Sequence, residues 1–88
     1  MTEETVQVWL VERDYNDKGL VTLVYATPDG ERAVQQHKSS KMLSKQGVTA
    51  ATEIDPERLR PVEDADRRER YATEAARVAD RNDPDDEI

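Results

Sequence analysis

The stretch TVQVWLVERDYNDKGLVTLVYA, residues 5–26, decides the fold. Both of its ends are rich in β-branched and aromatic side chains, which fit a pleated surface. Alternation puts Val6, Val8 and Leu10 on one face of the first run, and Gln7, Trp9, Val11 and Arg13 on the other. In the second run Leu20, Val24 and Ala26 share one face, while Val21, Leu23 and Tyr25 share the opposite one. Between the runs, Asp14-Tyr15-Asn16-Asp17-Lys18-Gly19 gathers turn formers and ends in a glycine free to take positive φ. Two such runs joined by a short Asn/Asp/Gly segment predict an antiparallel hairpin.

Working outward, Pro28-Asp29-Gly30 is the next turn and leads into a weaker strand from Glu31 to His37. Ser39 or Ser40 can cap a short helix over Lys41 to Gln46, and Gly47 is its expected stop. Val48 to Ile54 leans towards a fourth strand. Asp55-Pro56-Glu57 resembles a helix start, but Pro61 cuts that helix to about one turn. The clearest helix runs from about Glu63 to Arg81, with Glu63–Arg67, Asp64–Arg68 and Asp66–Arg70 as acid-before-base pairs. Its apolar stripe of Tyr71, Ala75 and Val78 is thin. The expected fold is α+β: an antiparallel meander of three to four strands, a short helix and a charged C-terminal helix. An SH3-like barrel followed by a helix is the rival. Residues 5–81 form the single expected domain, between a disordered N-terminus (1–4) and a disordered acidic tail (82–88).

The totals narrow the setting. Eighty-eight residues allow one domain with a small core. With 20 acids against 13 bases the net charge is −7, and the bases divide into nine Arg and four Lys. This balance resembles small acidic proteins of halophilic archaea, by composition alone and without a functional motif. Dense surface carboxylates keep such a protein hydrated and self-repelling in concentrated salt. The absence of Cys removes disulfides and thiolate chemistry, and it fits a reducing compartment. An acidic start and the lack of a long apolar run predict a cytoplasmic protein without a membrane anchor.

No motif assembles a catalytic set or a cofactor site. His37 has no orienting acid and no nucleophile marked out for it. Ser39, Ser40 and Ser44 are explained by helix capping. Asp14 to Gly19 mimics the start of a calcium loop, but Lys18 and Tyr25 stand where oxygen ligands are required. The expectation is therefore a non-catalytic interaction module without cofactor or metal.

Two surfaces compete for that role. The hairpin is apolar on both faces, and a thin-striped helix covers only one. Either the segment from Lys41 to Leu59 covers the other face, through Met42, Leu43, Val48, Ile54 and Leu59, or a partner does. In the second case an aromatic face of Trp9, Val11, Val21, Leu23 and Tyr25 is the leading candidate interface, for a protein partner or for a second copy. The alternative is a basic island. No acid occurs between Glu31 and Glu53, and Arg32, His37, Lys38, Lys41 and Lys45 lie in that interval, able to meet nucleic-acid phosphates.

Overall fold

A computed structural model describes residues 4–88, so most of the expected N-terminal tail lies outside the described residues. Strand β1 (Val6–Tyr15) turns back into β2 (Leu20–Ala26), and β3 (Arg32–Ser39) completes the meander. Helix α1 (Ser40–Gln46) follows, then β4 (Ala51–Ile54), a 3₁₀ turn at Pro56–Arg58, β5 (Arg60–Pro61) and α2 (Ala65–Arg81). The strands form one antiparallel sheet in the order β4-β1-β2-β3-β5. The fold class is α+β, as the sequence implies.

Each turn has a local cause. Asn16 Oδ1 accepts from the N–H groups of Lys18 and Leu20 at 2.9 and 3.0 Å, and Gly19 takes a φ of 80°. The Ser39 hydroxyl accepts from the Met42 N–H at 3.1 Å and caps α1, which ends at Gly47 with a φ of 73°. Asp55 caps the 3₁₀ turn and Asp64 caps α2 through the same side-chain device.

The decisive irregularity lies in β1. Leu10 faces Tyr25, yet Glu12 faces Val24, so Val11 is an extra residue bulged out of the ladder. Without it, the register that pairs Arg13 with Leu23 would continue and set Trp9 and Val11 beside Leu23 and Tyr25. The bulge reverses that assignment. Val8 and Leu10 join Val21, Leu23, Tyr25 and Val34 in one core, closed by Val48, Ile54 and Leu59. Trp9 instead packs with Ala50, Ala51 and Ala75, and Val24 and Ala26 pack with Val62 and Tyr71.

Both sheet faces are thus covered by this chain. The thin stripe of α2 suits its task, because the small Ala75 lets the helix axis approach Trp9 closely. On the other face the link from β4 to β5 crosses between the two sheet edges in only five residues, one turn of them 3₁₀. Flat strands spaced about 4.8 Å apart would set those edges roughly 19 Å from each other. Five residues with a tight turn fall short of that span, so the sheet curls towards the barrel-with-helix arrangement.

Two further departures concern charge. Among the described residues, the ion pairs are Arg70–Glu12 and Arg77–Glu74, both 2.9 Å, and none of the three expected i,i+4 pairs in the first turns of α2 forms. Arg68 donates to the Val62 and Glu63 carbonyls, locking the entry to α2. Residues 82–88 also depart from the expected disordered tail. The N–H groups of Ala50, Ala51 and Ile88 donate to Asp86, Pro84 and Val48 carbonyls respectively, at 2.7–2.9 Å. A run that looks purely solvating in composition is held by main-chain bonds that composition does not reveal.

The β2–β3 turn ties the sheet to α2. Gly30 is buried at a φ of +73°, and a Cβ there would overlap the Arg68 carbonyl and approach Ala72 N to 2.8 Å. Gly30→Ala is expected to cost about 2–4 kcal/mol, from the left-handed backbone and the overlap together. Urea unfolding measures it, and a loss below about 0.5 kcal/mol would contradict this docking. Beside it, the Thr27 hydroxyl and the Glu31 N–H donate to Asp29 and hold its carboxyl below the ordinary range of 3.8. A lowered folded value means the carboxylate stabilises above that range, and its contribution is lost as pH falls below it. Asp29→Asn is expected to flatten the acid-side decline of the unfolding midpoint below about pH 4; an unchanged decline would contradict this.

Candidate nucleic-acid interface

The hairpin tip and the start of α1 meet through a bond from the Ser40 N–H to the Gly19 carbonyl, 2.8 Å. This contact gathers charges that the sequence scatters. Lys18 lies in the tip, Lys38 closes β3, and Lys41 and Lys45 lie exposed on α1. These are all four lysines of the chain. Arg13 is added by β1, and its Nη1 donates to the Tyr15 hydroxyl at 3.3 Å. Asp14 and Asp17 flank the tip and the Glu87 carboxylate lies beside Gly47 at the end of α1, so five cations meet three carboxylates on a protein of net charge −7.

The apolar exposure collects here as well. Tyr15 is 62% exposed, Met42 47% and Leu20 46%, the three most exposed large hydrophobics among the described residues. The register explains Tyr15. It pairs with Val21, which pairs in turn with Lys38, so Tyr15 and Lys38 flank Val21 on one face. A shallow concavity lined by Ser39, Lys41, Met42 and Lys45 adjoins them. An open aromatic ring among mobile ammonium groups can stack a base while the amines meet phosphates.

The expected basic island is only partly assembled. Lys38, Lys41 and Lys45 come together, but Arg32 starts β3, roughly 20 Å away along the strand. His37 is exposed, with Nδ1 3.1 Å from the Thr22 hydroxyl. Lys18, Arg13, Leu20 and Met42 are not among the residues that the sequence pattern points to for this surface. The signal for Lys18 was available, since a hairpin tip must neighbour the end of a third meander strand.

The expected aromatic interface is not presented. Trp9, Val21, Leu23 and Tyr25 are buried at 8%, 0%, 1% and 4% exposure, and Val11 is half-buried against the Trp9 cluster. Nor do the five share a face, because the bulge sends Trp9 and Val11 to the helix side and the other three to the interior. Burial pushes the Tyr25 hydroxyl above its ordinary value, with Arg13 opposing.

A second concave region, of about 630 Å³, lies between α2 and the 3₁₀–β5 link. Val24, Ala33 and Tyr71 line its apolar part, and Arg58, Arg60 and Arg67 stand around it. Among the described residues no three acidic or histidine side chains converge as a metal site. Among the described residues no helix is long and apolar enough to cross a membrane.

No curated protein and no solved structure matches the chain. The model described as "Family of unknown function (DUF7967)" matches residues 2–88, and the chain belongs to that family.

Proposed function

We propose that this domain is a non-catalytic module that binds single-stranded nucleic acid at its lysine-rich hairpin end. The observation that carries the reading is the convergence of all four lysines on one end beside the exposed Tyr15. The acidic remainder of the surface repels phosphates and so steers a strand towards this end. Tyr15 supplies a stacking face and Arg13 steadies its hydroxyl. The reading through the buried aromatic face, by self-association or with a protein partner, has no comparable exposed surface in its support.

The setting bears on how such binding works. We take the cell interior of a salt-accumulating organism as the working environment, on the resemblance in composition. Five phosphate contacts with a single strand lose roughly 3–4 log units of affinity per tenfold rise in salt. In concentrated salt, stacking on Tyr15 carries what remains, at about 1–3 kcal/mol per base.

Fluorescence anisotropy with a labelled mixed-sequence single strand, titrated from 0.05 to 1 M potassium chloride, tests this. The double change Lys41→Glu and Lys45→Glu is expected to weaken low-salt binding by about tenfold or more and to flatten the salt slope. Both side chains are exposed, so the unfolding midpoint is expected to stay within about 0.5 kcal/mol. Tyr15→Ala is expected to remove the residue of binding that survives high salt. Equal binding by the wild type and the lysine double variant would refute the reading, as would no binding by either.

A further inference from the structure

Strand β3 is left half open. β5 pairs only with Arg32 and Ala33 and then departs into the 3₁₀ turn. The Thr27 N–H donates to the Arg32 carbonyl and the Ser40 N–H to the Gly19 carbonyl, which fixes the parity of the β2–β3 ladder. In an antiparallel ladder such pairs recur at every second residue. Val34, Gln36 and Lys38 therefore exchange bonds with β2. Gln35 and His37 turn their N–H and carbonyl groups to the outer edge, where no strand pairs with them among the described residues.

The surroundings of that edge are cationic. Arg58 and Arg67 are exposed, and neither makes an ion pair or a side-chain hydrogen bond among the described residues. Arg60 is exposed too, its Nη1 donating only to the Glu57 and Leu59 carbonyls. These three surround the concavity that Gln35 also lines, and Lys38 marks the other end of the edge. Two carboxylates, Glu63 and the α2 cap Asp64, stand at its rim, so the three arginines exceed the opposing charges by one. On a chain of net charge −7, three guanidinium groups without carboxylate partners beside open backbone groups select an anionic, extended occupant.

We propose that β3 accepts an extended acidic peptide as an added strand, main-chain bonded to Gln35 and His37, with its carboxylates on Arg58, Arg60 and Arg67. Strand addition takes affinity from backbone bonds, and side-chain pockets take every second residue. Such bonds persist in salt that screens bare charge contacts. The site is separate from the lysine-rich end, and its occupant is a protein segment.

The test uses the full chain, isotope-labelled, and a capped seven-residue peptide alternating Glu and Val. Amide shifts at Gln35 and His37, with slowed hydrogen exchange at both, are the expected result. Arg58→Gln with Arg67→Gln is expected to weaken binding about tenfold, as two charge-assisted contacts are lost, at an unchanged unfolding midpoint. The same peptide N-methylated at alternate residues is expected not to bind. Three outcomes overturn the proposal. One is shifts confined to the arginines and matched by inorganic phosphate, which means a plain anion site. Another is equal binding of a Lys–Val peptide. The third is no binding at millimolar peptide, which leaves the arginines as a device that merely blunts a sheet edge.

Discussion

The single extra residue at Val11 organises this small protein. Up to Leu10 the first strand alternates one way, and from Glu12 onward it alternates the other way relative to its partner. A hairpin apolar on both faces must be covered twice, and the bulge decides which residues go under which cover. Val8 and Leu10 are sent to the curled interior with Leu23 and Tyr25, while Trp9 is sent to α2. It also turns Glu12 towards α2, where Arg70 meets it at 2.9 Å, and leaves Tyr15 outside the closed part of the core.

Given that sorting, the remaining elements act as covers whose dimensions match. The helix presents Ala75 to Trp9 and brings its backbone onto Gly30, contacts that bulkier residues would prevent. The interior face is closed by Val48, Ile54 and Leu59 from the segment that leads around the sheet. Such tight coverage lets a chain with no Phe and sixteen Leu, Ile and Val hold a core. With the apolar faces spent internally, the exposed features that remain are two cation clusters, one of them beside Tyr15, Leu20 and Met42. They are the lysines at the hairpin tip and the arginines beside the open strand edge.

Much of the architecture was legible beforehand. The hairpin, the third strand, the capped short helix, the single 3₁₀-like turn after Asp55 and the long charged helix all follow from local chemistry. Alternation, turn residues and capping hydroxyls act over a few positions, so they are written in contiguous sequence. The bulge was not legible, because the unbroken apolar run Val8-Trp9-Leu10-Val11 suits either register. That one-residue ambiguity turned two buried clusters into an apparent aromatic interface. The β3–β5 pairing and the bonds from 84–88 to 48–51 were hidden for another reason. They are main-chain bonds to edges formed by distant residues, and Pro61 and the acidic composition argue against strand there. The lysine cluster was three-quarters visible, since Lys38, Lys41 and Lys45 are near in sequence whereas Lys18 is brought in by the turn. Arg67 looked like one half of a helix pair with Glu63, and it joins Arg58 and Arg60 around one concavity because that pair does not form.

The most direct test of this account is a set of nuclear Overhauser contacts from the two aromatic rings at the centre of the sheet, recorded at two protein concentrations. A bulge at Val11 predicts Trp9 indole contacts to the Ala75 methyl and Tyr25 ring contacts to Leu10, unchanged on tenfold dilution. Contacts from the Tyr25 ring to both Val11 and Trp9 would contradict it by reinstating the unbulged register. Trp9–Ala75 contacts that fade on dilution would contradict it equally, since the cover over Trp9 would then belong to a second molecule.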